Sequence, residues 1–215
     1  MEQRAEGRNL IVRYTMADRV VHWTIAGTFV YVMLTGLALF WPPFYWLADV
    51  FGGGPVIRYW HPIIALVFLA VLLLMLARWF KDMKVDAEDR RWIGHFREFV
   101  TGDERVVADA GRFNFGQKSL FWVQFATAVL LVLSGVTMWF PRSFDVGLRQ
   151  AAFIVHDLSA IAAIGALIVH IYMGVFVTRG SVDAMTRGTV SARWAEAHHA
   201  RWLKALRSAT PQARQ

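Results

Sequence analysis

Long apolar runs separated by compact polar blocks organise the chain. Four runs, at about 20–41, 56–79, 120–140 and 151–178, are nearly free of charge. Each reaches the ~20 helical residues needed to cross the hydrocarbon of a bilayer. The pattern predicts an all-α integral membrane four-helix bundle, a single domain over 1–215 that ends in a basic tail at 179–215. Arg58 lies near the end of the second run, where its long side chain can snorkel to the interface. The polar segment Met1–Arg19 leads into the first run without an A-x-A-like cleavage site, so that run is expected to be a retained span. No internal repeat is evident.

Composition supports the spans. Apolar residues make up 56% and charged residues 18% of the chain, against about a quarter charged in a soluble domain. The charges also alternate from one connection to the next. Pro42–Pro55 has no Lys or Arg, and Pro141–Gln150 has only Arg142 and Arg149. The N-terminal arm has four arginines (Arg4, Arg8, Arg13, Arg19), and the second connection has seven basic residues from Lys81 to Arg112. The tail adds seven more from Arg179 to Arg214. The positive-inside rule then places both termini and the second connection in the cytoplasm of a bacterial inner membrane. On this reading the net charge of +7 records topology and lipid contact, and excludes nucleic acid as a partner. Within the second connection Trp92, Ile93, Phe96, Phe99 and Val100 repeat at helical spacing, predicting a short helix on the membrane surface.

With no cysteine, the chain has no disulfide, thiolate metal site, iron–sulfur cluster or covalent haem. Redox chemistry would need a bound cofactor, and histidines are the residues able to hold one. Four of the seven lie in the spans: His22, His61, His156 and His170. Imidazole in a bilayer is costly unless it is paired or ligating. His156 and His170 share the fourth span, fourteen residues apart, which puts them within ~40° on the helix and ~21 Å apart along it. Between them Ala160, Ala163 and Leu167 leave room either for a flat macrocycle or for tight helix packing. The predicted topology puts His22 at the depth of His170 and His61 at the depth of His156. Two facing imidazoles suit a six-coordinate haem dedicated to electron transfer, whereas zinc would need three or four ligands at one point. The chain is therefore expected to carry two haems b, an inner one on His22 and His170 and an outer one on His61 and His156. The third span has no histidine and is expected to supply packing alone. His95, His198 and His199, in polar segments, are expected to be solvated.

These features resemble the cytochrome b (gamma) subunit of membrane-bound formate dehydrogenases. The resemblance is carried by the four spans, His22 early in the first and Arg58-Tyr59-Trp60-His61-Pro62 opening the second. The histidine pair of the fourth span and Asn114-Phe115-Gly116-Gln117-Lys118 before the third complete it. It implies an iron–sulfur (beta) subunit feeding electrons to the outer haem and a molybdenum- or tungsten-dependent catalytic (alpha) subunit beyond that. It also implies a quinone reduced on the cytoplasmic side around Asn114, Gly116 and Gln117, with no formate chemistry on this chain. Taken alone, Asn114 also reads as the N-cap of the third helix. The histidines alone fit the cytochrome subunits of nickel–iron hydrogenases and thiosulfate reductases too. A cofactor-free membrane anchor is a further alternative.

Overall fold

A computed structural model describes residues 10–94 and 110–209. Its order is β1 (Leu10–Val12), α1 (Met16–Phe40), a 3-10 turn (Pro42–Phe44), α2 (Trp46–Val50), α3 (Gly54–Trp79) and α4 (Ala87–Gly94). There follow α5 (Phe115–Trp139), α6 (Val146–Tyr172), a π-helical turn (Met173–Val177), α7 (Ser181–Arg187), β2 (Thr189–Ser191) and α8 (Ala192–Ala209). The helix α4 overlaps the segment predicted to form a surface helix at residues 92–94; His95, Phe96, Phe99 and Val100 lie outside the described residues.

Among the described residues, four helices are long and apolar enough to cross a membrane: α1, α3, α5, and α6 with its π-helical turn. Three of them, α1, α5 and α6, begin before the predicted spans, where polar residues cap them. Thr15 and Asp18 bond each other's backbone N–H groups ahead of α1, and Asn114 and Gln117 do so ahead of α5. Asp145 Oδ1 accepts from Leu148 N at the start of α6. Each arrangement satisfies donors that a helix start leaves unpaired. Before α3, Gly52 and Gly53 both adopt positive φ (92° and 97°), a region open mainly to glycine. Pro62 lies inside α3, beyond its first turn; a proline there removes the hydrogen bond that residue 62 would make to the Arg58 carbonyl.

The chain divides into two compact units. One comprises Val20–Arg78 and Trp122–Ile171 and contains most of the four long helices. Its buried core is thin: Phe29, Phe68, Leu72, Ala128 and Ala163 form one cluster, and Ala38, Leu47, Ala48 and Ile57 another. Large apolar side chains such as Leu133, Ile161 and Ile168 point outward instead, the inside-out distribution that hydrocarbon favours. Hydroxyls in these helices bond their own helix backbone, as Thr24 does to the Val20 carbonyl and Thr127 to the Val123 carbonyl, which leaves few polar groups bare.

The other unit comprises Met1–Arg19, Trp79–Phe121 and Tyr172–Gln215. Within the segment read from sequence as a basic tail, the described residues 179–209 are folded. β2 pairs antiparallel with β1, Ile11 opposite Val190. Gly188, at φ 85°, lies where a Cβ would meet the Tyr14 carbonyl oxygen at 2.9 Å, so only glycine lets the two strands approach. Lys118 and Asp89 form a buried ion pair of 2.6 Å, and the Lys118 ammonium also donates to the Lys84 carbonyl. Burial opposes the charge on Asp86, but the Asp89 backbone N–H, Lys118 and Arg201 together hold its pKa below the ordinary value.

Candidate functional site

In the helical unit the four span histidines meet as two pairs. The His22 and His170 ring centres are 6.0 Å apart with planes inclined at 47°. Those of His61 and His156 are 6.5 Å apart and inclined at 54°. Two imidazoles on opposite sides of one metal, each ~2.0–2.1 Å from it, have ring centres ~6.2–6.4 Å apart. Both separations fit such a metal, and neither brings the nitrogens of a pair into a direct hydrogen bond. Buried His22 Nδ1 has no hydrogen-bond partner among the described residues. Among the described residues no group of three or more His, Asp and Glu is placed to hold a metal ion. The donor sets available are thus pairs of imidazoles, suited to the two axial positions of a haem.

Between the pairs, Ala163 is buried in the core cluster and its carbonyl accepts from Gln124 Nε2 of α5. Of the two uses open to the small-residue stripe, the structure shows tight packing at Ala163. The spacing along α6 still separates the two histidines by ~21 Å.

Sequence reasoning missed the groups that hold His61 and His156. Thr35 Oγ1 of α1 lies 2.9 Å from His61 Nδ1, and Ser134 Oγ of α5 lies 3.0 Å from His156 Nδ1. Beside each hydroxyl is a glycine. A Cβ at Gly36 would stand 3.2 Å from His61 Cε1, and one at Gly135 would stand 3.5 Å from His156 Cε1. The third long helix therefore supplies more than packing, which corrects the expectation from its lack of histidine. The available signal was a hydroxyl–glycine dipeptide, Thr35-Gly36 and Ser134-Gly135, inside two apolar runs.

In the other unit, Asn114, Gly116 and Gln117 occupy the start of α5. Their geometry is that of a capping box: Asn114 Oδ1 accepts from Gln117 N at 2.9 Å, and Gln117 Oε1 accepts from Asn114 N at 3.1 Å. These bonds use the side-chain oxygens and leave each amide its NH2 group for other partners. Gly116 is exposed between them.

His199, expected to be solvated, is instead buried in a kink of α8, at φ −149° and ψ 49°. Its Nδ1 is 2.7 Å from the Gly111 carbonyl and so donates, which leaves Nε2 to accept from the Arg13 guanidinium at 3.0 Å. Burial, with Arg13 next and His198 after it, pushes His199 down to about 3, against the pull of the Gly111 carbonyl. Arg13 also donates to the Arg112 carbonyl and lies over the rings of Trp202 and Trp194, its Cζ 4.7 and 5.3 Å from their centroids. This cluster joins β1, α8 and the segment before α5. Nothing in it resembles a ligand site.

Comparison with known proteins accords with this geometry. A family model of prokaryotic cytochrome b561 matches residues 13–188. The formate dehydrogenase cytochrome b556(fdo) subunit of Escherichia coli K12 is 35% identical over 181 residues, 83% of this chain and 84% of that one. The nitrate-inducible cytochrome b556(Fdn) subunit of the same strain is 34% identical over 179 residues, 82% of each. The formate dehydrogenase cytochrome b556 subunit of Haemophilus influenzae is 35% identical over 176 residues, 80% of this chain and 73% of that one.

Proposed function

The chain belongs to the prokaryotic cytochrome b561 family, and from that premise we propose that it is the dihaem cytochrome b subunit of a respiratory formate dehydrogenase. Membership implies haem b and a multi-pass membrane protein that transfers electrons. In the proposed assembly an iron–sulfur subunit, itself fed by a molybdenum- or tungsten-dependent catalytic subunit, donates electrons at the outer face. Quinone is reduced at the cytoplasmic side of a bacterial inner membrane. The printed names of the relatives support formate as the source.

One observation carries the reading: the four span histidines stand as two facing pairs whose ring separations, 6.0 and 6.5 Å, suit one metal each. His22 and His170 would hold one haem, and His61 and His156 the other. Held by two imidazoles, each haem would supply a one-electron couple suited to electron transfer and not to oxygen chemistry. The chain's part is placement. α6 carries one histidine of each pair about four turns apart, while α1 and α3 each present one partner. The apolar outer surfaces of the helices exclude water from both pairs.

The basic arm, second connection and C-terminal segment support cytoplasmic termini. That orientation places the His61–His156 pair toward the outer face, where exposed Tyr59 and Trp60 are suited to docking the iron–sulfur subunit. For quinone, the NH2 groups of Asn114 and Gln117 can donate to its carbonyl oxygens, and Gly116 allows close backbone approach. Proton uptake from the cytoplasm during that reduction would make turnover electrogenic.

The test is His22→Ala in the assembled complex. One haem should be lost and quinol formation abolished, while formate still reduces the remaining haem. Undiminished quinol formation would overturn the assignment of the His22–His170 pair to the quinone side.

A further inference from the structure

The His61–His156 pair is distinguished by what its second nitrogens meet. A hydroxyl has one proton to give. Thr35 Oγ1 lies 2.8 Å from the Tyr31 carbonyl oxygen, and Ser134 Oγ lies 2.6 Å from the Leu130 carbonyl oxygen. A carbonyl can only accept, so a hydroxyl proton directed at its own helix leaves the hydroxyl oxygen free to accept from the histidine. A histidine that ligates through Nε2 carries its hydrogen on Nδ1, and the hydroxyl oxygen is then its acceptor. Each hydroxyl is thus placed to support the tautomer with Nδ1–H bonded and the Nε2 lone pair bare, the form that ligates a metal.

The arrangement occurs twice, with one difference: the Leu131 backbone also bonds His156. Thr35 of α1 serves the histidine of α3, and Ser134 of α5 serves the histidine of α6. Beside His61, the adjoining Gly36 leaves space for the ring; at Gly135 a Cβ would make only ordinary contact with His156. At the other pair, His22 Nδ1 has no such acceptor among the described residues. One pair therefore has both imidazoles backed by an acceptor, and the other does not share that feature.

We infer that Thr35 and Ser134 are positioning residues that tune the haem of the His61–His156 pair, selectively lowering its reduction potential. A hydrogen bond from Nδ1–H raises the basicity of the coordinating imidazole. A more basic ligand stabilises ferric over ferrous iron, so removing the bond raises the potential. The inference rests on the haem reading given above.

The test is a spectroscopic redox titration of the purified complex carrying Thr35→Val, Ser134→Ala or both, beside the unaltered protein. The potential that moves is assigned by its absence in His61→Ala. Each single variant should shift the ferric-to-ferrous ratio of that haem at fixed potential about three- to tenfold toward ferrous, tenfold being ~59 mV for a one-electron couple. The second haem serves as internal control and should not move. Thr35→Ser and Ser134→Thr keep the hydroxyl and should restore the original value. Unmoved potentials in a variant with both haems would overturn the inference, and so would equal shifts in both haems. If Thr35→Val loses its haem, recovery in Thr35→Ser with the original potential supports the inference, and failure to recover overturns it. An unaltered complex without two low-spin haems would instead fail the haem reading itself, before any variant is measured.

Discussion

Protonating His199 would set a second N–H against the Arg13 guanidinium, because Nδ1 already donates to Gly111. The native pKa of about 3 lies below the ordinary 6.5, so between those values the unfolded chain binds the proton and the folded one does not. This group's contribution to stability is complete above pH 6.5 and declines as pH falls toward 3. His199→Gln keeps a donor and an acceptor but does not titrate. Thermal melts followed by tryptophan fluorescence, with Trp194 and Trp202 beside the cluster, should show a steeper loss between pH 7 and 5 in the unaltered protein. Parallel losses in both proteins would contradict the assignment. His199 was illegible in the sequence for a physical reason. A histidine among charges normally stays in water, and its burial here depends on a carbonyl 88 residues away and an arginine 186 residues away.

At the scale of elements, the two pairs depend on how closely neighbouring helices approach. Gly36 holds the space for the His61 ring, so Gly36→Leu, adding three carbons beyond Cβ, should displace His61. One haem of two should be lost on heating or detergent dilution, the other remaining; retention of both in normal yield would contradict the packing argument. The four spans were legible because charge-free runs of this length have few other uses in a protein. Asn114 as a helix cap was legible because capping depends on residues three apart. Thr35-Gly36 and Ser134-Gly135 were not, since hydroxyls in apolar helices usually bond their own backbone. Only contact with a neighbouring helix gives them a second partner. The β1–β2 ladder was hidden likewise, joining segments far apart in sequence with three residues each.

At the scale of the whole molecule, the proposed direction of electron flow rests on orientation, and the chain offers a clean way to measure it. With no native cysteine, a single introduced one is an unambiguous reporter. Ser143→Cys, in the connection before α6, should react in whole cells with a membrane-impermeant maleimide. Ser208→Cys, near the end of α8, should react only after the membrane is opened. The reverse pattern would invert the topology and the path with it. Central to the account, though, is the claim that two facing histidine pairs each hold a haem. A pyridine haemochrome determination against protein concentration, on the complex purified in mild detergent, tests it most directly. Two haems b for each copy of this chain are expected, with low-spin bis-imidazole signatures; one haem or none would contradict it.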